Sequence, residues 1–220
     1  MSNRYPNKNH NIANINELPH GEKLPEIINT FRDNHYFLSS MYPLNNGVVT
    51  LDGRVVSSVE IGYQSEKFLN AEAREAVLRS VDGYAAKRLA NKIEVEDPSA
   101  RRADWESIKL DVMRWYVLQK FKRNPEITEE LINTSNAPLI EANQWGDTFW
   151  GVSKIKGGGD RAQGENHLGR LLMETRTLFS GDETLISDYE TELRHKLGSA
   201  ILHEVFDTES TFQENPQQDS

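Results

Sequence analysis

The chain contains no cysteine among its 220 residues. Disulfides, zinc sites built on thiolates and a cysteine nucleophile are therefore excluded. The sequence also has no apolar run near the roughly 20 residues that a membrane span needs, and its first residues lack the apolar core of a signal peptide. We therefore expect a cytoplasmic protein with no membrane partner. No histidine spacing is typical of a metal site, so we expect no metal ion. We also expect no cofactor.

Positive charge is scarce, because 25 Lys and Arg residues stand against 34 Asp and Glu residues and give a formal net charge of -9. A broad surface that grips duplex nucleic acid relies on Lys and Arg to neutralise phosphates, so this balance argues against one. A small pocket for a nucleotide or a phosphorylated sugar remains compatible with it. At 37% hydrophobic residues, the chain can bury one substantial core. We predict one domain at residues 31–206, after an N-terminal arm at residues 1–30 and before a polar tail at residues 207–220.

The clearest local pattern is Asp52-Gly53 between two runs of β-branched residues, which favours a hairpin with a two-residue type I′ turn. Phe31 to Tyr42 suggests a short strand or an aromatic loop. Apolar residues at helical spacing dominate the remainder. They predict helices from about residue 59, at 71–80, 84–92 and 104–122, from 125, and at 167–179 and 187–206. The expected fold class is mainly α, an α+β arrangement with one small β-hairpin.

The helix that we predict to begin at Val59 carries the first candidate site. Positions i, i+4 and i+7 nearly coincide at 3.6 residues per turn, so Glu60, Gln64 and Lys67 should share one face. That face offers a carboxyl group, an amide and an amine. The alternative is an ordinary amphipathic surface helix on which Glu60 and Lys67 form a salt bridge, and this stretch alone favours the ordinary helix.

Two loops provide further candidates. Glycine-rich residues 156–166 precede a predicted helix with Asn166 as its cap, and free N–H groups at a helix start can hold a phosphate. Their spacing fits neither the Walker A nor the dinucleotide fingerprint, so an ordinary surface loop is an equal alternative. The second loop places Asp147 between Trp145 and Trp150. Those indoles either stack on bases beside an acidic group or pin the loop to the core.

Several short motifs occur in order between about residues 31 and 179. They are Phe37-Leu38-Ser39-Ser40-Met41-Tyr42-Pro43, Val59-Glu60 with Gln64 and Lys67-Phe68, Trp105-Glu106-Ser107 with Met113 and Lys120-Phe121, Leu139-Ile140-Glu141, Asp147 with Trp150-Gly151, Gly164-Glu165-Asn166-His167-Leu168-Gly169, and Leu172-Met173-Glu174-Thr175-Arg176. Together they resemble the NADAR or YbiA-like family. The chain departs from the usual pattern at Ser40, where the family usually has Asn, and at Ile61, where it often has His.

The resemblance implies a compact, mostly helical N-glycosidase that uses no metal and cleaves the bond between ribose C1 and an exocyclic amine. One group in the family removes ADP-ribose from guanine, in some cases as antitoxin to a DNA-modifying ADP-ribosyltransferase. Another group cleaves phosphoribosylamino-pyrimidine intermediates of riboflavin synthesis. We expect the first activity, on an ADP-ribosylated guanine nucleotide or nucleic acid. The riboflavin intermediate and a non-catalytic ADP-ribose-binding module are the alternatives.

The resemblance also suggests roles for individual residues. The Lys67 amine would attack a ring-opened imine of the sugar, and Glu60 would shuttle protons. If no covalent intermediate forms, Glu60 and Asp147 become the catalytic carboxylates. The expected substrate-binding residues are Phe37, Ser39, Ser40, Gln64, Trp105, Trp150, Gly164, Asn166, Leu168 and Gly169.

Overall fold

The computed structural model describes residues 26–155 and 161–210, without the side chains of residues 199–210. Most of the predicted N-terminal arm and the last ten residues lie outside these ranges, so the domain boundaries stay predictions. Ile28, which belongs to the predicted arm, pairs with residues 138–140. Its N–H donates to the Pro138 carbonyl at 3.0 Å, and its own carbonyl accepts from Ile140 N at 2.8 Å.

Helices make up most of the described chain and confirm the predicted fold class. The α-helices are α1 (Val59–Ser65), α2 (Ala71–Leu78), α3 (Gly83–Glu96), α4 (Trp105–Arg123), α5 (Pro125–Asn133), α6 (His167–Phe179) and α7 (Glu183–Ser210). The strands are β1 (Val48–Val49), β2 (Val55–Val56), β3 (Ala142–Asn143), β4 (Val152–Lys154) and β5 (Ala162–Gln163). Two 3-10 helices, Asp33–Leu38 and Pro98–Ala100, complete the set. The first of them replaces the strand or loop expected between Phe31 and Tyr42.

The predicted hairpin is confirmed, but its turn type is wrong. β1 and β2 pair antiparallel, with Val48 opposite Val56 and Val49 opposite Val55. A type I′ turn needs positive φ at both central residues, whereas only Gly53 has one here, at 89°. The Gly53 N–H donates to the Thr50 carbonyl at 3.0 Å, so the central residues of the turn are Leu51 and Asp52, neither of which has a positive φ. The Asp52 side chain accepts hydrogen bonds from Thr50 and from two arginines. The hydrogen bond from Arg74 holds the pKa of Asp52 well below its usual range.

Side-chain caps hold the starts of α1 and α3, but the cap predicted at Asp104 for α4 is wrong, because Asp104 makes no side-chain cap hydrogen bond. The Ser58 hydroxyl accepts from Ile61 N at 3.3 Å, and Asp82 caps α3 by accepting from Ala85 N at 2.7 Å. α3 begins one residue earlier and ends four residues later than predicted. α7 begins at Glu183 and continues to Ser210, so it is longer than predicted at both ends.

The core forms around α1 and α4. All seven residues of α1 are buried, because α2, α3 and α4 pack around it. The ordinary surface helix considered for this stretch is therefore excluded. Close packing depends on Gly62, since a Cβ there would lie 2.2 Å from the Tyr116 ring. The Tyr116 hydroxyl donates to Glu66 Oε1 at 2.7 Å, and burial raises the pKa of Tyr116 well above its usual value.

A second, three-stranded sheet lies between α5 and α6 in the chain. β3 pairs parallel to β4, and β4 pairs antiparallel to β5. The aromatic loop at residues 144–151 connects β3 to β4, so this sheet fixes both ends of that loop. Within residues 26–155 and 161–210, no helix has the length and apolar character needed to cross a membrane.

Candidate active site

A cavity of about 520 Å³ opens beside the first turns of α1. Its volume falls within the range of small-molecule sites, roughly 300–1,000 Å³. The predicted site residues that line it are Ser39, Ser40, Glu60, Gln64, Asp147, Trp150 and Leu168. The predicted site residues outside its lining are Phe37, Lys67, Trp105, Gly164, Asn166 and Gly169. The structure thus brings together residues that are more than 100 positions apart in the sequence.

Glu60 is the most firmly held carboxylate in this cavity. Its Oε2 accepts from the Ser40 hydroxyl at 2.7 Å, and its Oε1 accepts from Gln64 Nε2 at 2.8 Å. Lys87 Nζ lies 4.0 Å from Oε1. The Glu60 N–H also donates to the Ser40 carbonyl at 3.0 Å, so the backbone and the side chain are tied to the same residue. The carboxylate is therefore oriented before any substrate binds.

Gln64 leaves one polar atom available to a ligand. A carboxylate only accepts, so the amide nitrogen of Gln64 faces Glu60 and the amide oxygen points elsewhere. Among the described residues, Gln64 Oε1 is buried without a hydrogen-bond partner. A buried acceptor of this kind costs free energy unless a ligand or water satisfies it. It suits the N–H of a substrate amine.

Glu141 also lines the cavity, although it is not among the site residues predicted from the sequence. Its Oε2 is buried and has no hydrogen-bond partner in the part of the chain that the structure describes. Burial raises the pKa of Glu141 to about 7, with a smaller rise from Asp147, while Arg32 and Lys87 act in the opposite direction. Its only signal in the sequence was membership of the motif Leu139-Ile140-Glu141.

Asp147 lines the cavity, but its carboxylate organises the aromatic loop. Oδ1 accepts from Phe149 N at 3.2 Å and from Trp150 N at 2.9 Å. The amide side chain of Asn143 fixes the Asp147 backbone, since Oδ1 accepts from Asp147 N at 3.0 Å and Nδ2 donates to Asp147 O at 2.6 Å. These contacts place the Trp150 ring in the cavity wall.

The aromatic residues form a cluster of tilted and edge-to-face contacts at that wall. Tyr63 contacts Trp105 at 5.0 Å between ring centroids and Trp150 at 5.5 Å. Trp105 is buried, so it supports the wall without lining the cavity. Trp145 differs, because 58% of its surface is exposed at the cavity rim, where the Arg32 guanidinium lies 5.9 Å from its ring. One indole of the loop is thus largely open to solvent.

The Lys67 side chain does not line the cavity with Glu60 and Gln64. α1 ends at Ser65, so helical spacing no longer determines where residue 67 points, and the expected common face is wrong for this residue. Lys67 Nζ instead donates to Glu94 Oε2 at 2.8 Å. An ammonium group bound to a carboxylate has no lone pair with which to attack carbon. The catalytic role of Lys67 stays a prediction that this geometry does not support.

The predicted phosphate-binding segment supports the cavity through packing. Residues 156–160 lie outside the described residues. Asn166 has a φ of 54° and makes no side-chain cap bond, so the predicted cap is wrong. Its side chain instead accepts from Glu141 N at 3.0 Å and donates to the Leu139 carbonyl at 2.9 Å. Gly164 and Gly169 allow close contacts with the carbonyls of Gly151 and Leu139, while Phe37 lies in the core.

Lys120 is a buried cation behind the cavity wall. It is 1% exposed, and its Nζ donates to the Ser39 carbonyl at 2.8 Å. Burial lowers the pKa of Lys120 to about 7. The contact between Lys120 and Ser39 fixes the turn that also carries Ser40, and Ser40 is a hydrogen-bond partner of Glu60. Within the described residues, no group of three or more His, Asp or Glu side chains could hold a metal ion.

Comparison with known proteins agrees with the fold. The NADAR domain matches residues 28–180. The chain therefore belongs to the NADAR family. It is 36% identical over 144 residues to a riboflavin biosynthesis protein of Vibrio vulnificus, covering 66% of this chain and 35% of that protein. It is also 36% identical over 130 residues to a chloroplastic riboflavin biosynthesis protein of Zea mays, covering 56% of this chain and 20% of that protein.

A smaller relative matches over most of its own length. N-glycosidase YbiA of Escherichia coli is 32% identical over 128 residues, which cover 58% of this chain and 73% of that protein. The solution structure of E. coli YbiA superposes with a TM-score of 0.57 at 30% identity, and it covers 76% of this chain and 90% of YbiA. The chain thus spans about a third of the Vibrio vulnificus protein and about a fifth of the Zea mays protein, but nearly all of the YbiA structure.

Proposed function

We propose that this protein is an N-glycosidase that hydrolyses the bond between ribose C1 and an exocyclic base amine. The observation that carries the proposal is the Glu60 carboxylate, held between Ser40 and Gln64 in a cavity large enough for a nucleotide. Membership of the NADAR family and similarity to a protein named N-glycosidase YbiA support the same reaction class.

The proposed reaction uses Glu60 as general base. Its carboxylate accepts a proton from water, whose oxygen attacks ribose C1. The electron pair of the C1–N bond moves to the departing nitrogen, which takes up one proton and leaves as the free amine. Because Ser40 and Gln64 already fix the carboxylate, little reorganisation is needed. The free acceptor Gln64 Oε1 would bind the N–H of the substrate amine and so bring C1 towards Glu60.

For the substrate we propose ADP-ribose attached to guanine, as a nucleotide or in nucleic acid. Arg32 and Lys87 place two cations in the cavity lining, where they can face phosphates. The exposed Trp145 ring provides a surface for a base at the rim. An enzyme that removes ADP-ribose from guanine would reverse a DNA ADP-ribosyltransferase, so we also propose that it serves as antitoxin to such a toxin.

A phosphoribosylamino-pyrimidine intermediate of riboflavin synthesis is the second candidate substrate. Two relatives that carry the name of riboflavin biosynthesis proteins favour it. It contains the same kind of bond, between ribose C1 and an exocyclic amine, and one phosphate. A pocket that selects it needs only one of the two cations and no contact with the exposed indole.

Assays with both substrates test these proposals. We expect free ADP-ribose to appear when the protein meets a single-stranded DNA oligonucleotide ADP-ribosylated on guanine, as measured by chromatography, with the unmodified oligonucleotide as blank. Release of ribose 5-phosphate from the pyrimidine intermediate alone would identify the second substrate. Binding of ADP-ribose without release from either compound would identify a binding module and contradict the glycosidase proposal.

Replacing Lys67 by arginine tests the imine mechanism. Arginine keeps the positive charge beside Glu94 but is not a nucleophile at neutral pH. From the Lys67–Glu94 contact we expect turnover within a few-fold of the wild-type rate, and borohydride added during turnover should trap no sugar on the protein. Sugar trapped on Lys67, together with loss of turnover in Lys67→Arg at an unchanged melting temperature, would restore the covalent mechanism.

A further inference from the structure

Of the three carboxyl groups that line the cavity, Glu60 acts as the proposed base and Asp147 holds the aromatic loop, so Glu141 has no role yet. Glu141 directly precedes β3, and its backbone is fixed on both sides. Its N–H donates to Asn166 Oδ1 at 3.0 Å, and its carbonyl accepts from Val152 N at 2.8 Å. Two segments that are distant in the sequence therefore hold this residue, which positions its side chain more precisely than a loop alone would.

The path of the side chain depends on a neighbouring glycine. A Cβ at Gly151 would lie 3.1 Å from Glu141 Cγ and 2.1 Å from the Glu141 carbonyl oxygen. Because Gly151 has none, the side chain can enter the cavity lining. There its Oε2 is buried and has no partner among the residues that the structure describes. An unpaired buried oxygen is costly, and it indicates a group that a ligand satisfies.

The two glutamates of the cavity lie in different environments. Glu60 accepts two hydrogen bonds, from Ser40 and Gln64, and Lys87 Nζ lies 4.0 Å from its Oε1. Glu141 Oε2 has no hydrogen-bond partner among the described residues, and burial raises the pKa of Glu141 to about 7. The charged groups that act on it are Arg32 and Lys87, which favour its ionised form, and Asp147, which opposes ionisation. Two carboxyl groups in such different environments can act as the acid and the base of one reaction.

We propose that Glu141 is the general acid of the reaction, donating its carboxyl proton to the exocyclic nitrogen as that nitrogen leaves ribose C1. This inference rests on the proposed N-glycosidase function. Water adds to C1 and gives a proton to Glu60, while the electron pair of the C1–N bond goes to nitrogen, which takes the proton of Glu141. Transfer of one proton from Glu60 back to Glu141 through solvent restores both groups, so atoms and charges balance.

The pH dependence of turnover gives the first test. The acid form of Glu141 is the active one, so the wild-type rate should fall as the pH rises through about 7. Glu141→Gln should lower turnover of ADP-ribosylated guanine by about 10²- to 10⁴-fold and abolish this decline. Lys120 also has a pKa of about 7, so the comparison of profiles is essential. A decline that persists in Glu141→Gln originates from another group and would overturn the proposal.

Two further measurements separate acid catalysis from a structural role. The affinity of Glu141→Gln for free ADP-ribose, measured by calorimetry, should stay within a few-fold of the wild-type value. The factor by which Glu141→Gln slows turnover should be at least tenfold smaller for ADP-ribose joined to a nitroaniline than for ADP-ribosylated guanine. The nitrogen of a nitroaniline leaves with less need of a proton. An equal loss for both leaving groups contradicts the proposal.

Different results would contradict the acid role of Glu141 and the proposed glycosidase function. If the wild-type protein releases sugar but Glu141→Gln keeps its rate, only the acid role fails. If the wild-type protein releases no sugar from any glycosylamine at any pH, the function itself fails. Should Glu141→Gln not fold, carbon-13 NMR of the wild-type glutamate carboxyls provides the readout. A carboxyl titrating near 7 that shifts when ADP-ribose binds supports the role, and the absence of such a group refutes it.

Discussion

Replacing Glu60 by glutamine should lower turnover by about two to four orders of magnitude and leave the fold in place. Glutamine has nearly the same shape, so contacts with Ser40 and Gln64 can persist, but its amide cannot accept a proton from water. The effect should appear in kcat, because the carboxylate acts on the attacking water and not on the phosphates. Single-turnover release of ADP-ribose from modified guanine DNA measures it, with circular dichroism to verify the fold.

A matched control for this variant is Glu75→Gln. Glu75 is an exposed carboxylate on α2 that pairs with Arg54 and Arg79 and does not line the cavity. Exposed ion pairs contribute little to stability, so this change should alter neither turnover nor melting temperature measurably. If Glu60→Gln retains even half of the wild-type rate while Glu75→Gln is normal, Glu60 is not the general base.

Local signals in the sequence predict the helices well. The bounds predicted for α6 coincide with those observed, and α1 begins at the predicted Val59 after its serine cap. The strands β3 to β5 were not predicted, because segments of two or three residues carry too few side chains for an alternating pattern. Full burial of α1 could not be predicted either, since it results from three other helices that pack around it.

The residues of the candidate site likewise divide into those that a local sequence pattern predicts and those that long-range contacts determine. Helical spacing brings Glu60 and Gln64 together, because both lie within one uninterrupted helix. The spacing rule fails at Lys67, since α1 ends two residues earlier without a proline or glycine to signal it. Glu141 could not be predicted as a site residue, because its backbone is positioned by hydrogen bonds with Val152 and Asn166 that no local pattern encodes.

Replacing Gly169 by alanine should destabilise the protein by about 2 kcal/mol, because the added methyl group has no space. A Cβ at this position would lie 2.1 Å from the Leu139 carbonyl oxygen and 2.5 Å from Asn166 Nδ2. The backbone oxygen cannot rotate away, so α6 must move outward from residues 139–141. Alanine also favours a helix over glycine by about 1 kcal/mol, so the clash must exceed this gain. Urea unfolding measures the difference between the two proteins.

Gly198→Ala is the matched control, because Gly198 also lies in a helix and a Cβ there would meet nothing within 4 Å. It should stabilise the protein by about 0.5–1 kcal/mol. Gly169→Ala should also reduce turnover, because the Asn166 side chain that it displaces holds the backbone of Glu141. Its affinity for free ADP-ribose should change less than its turnover. A Gly169→Ala protein of normal stability that no longer binds ADP-ribose would show that Gly169 contacts the ligand, as first predicted, and that close packing is not its main role.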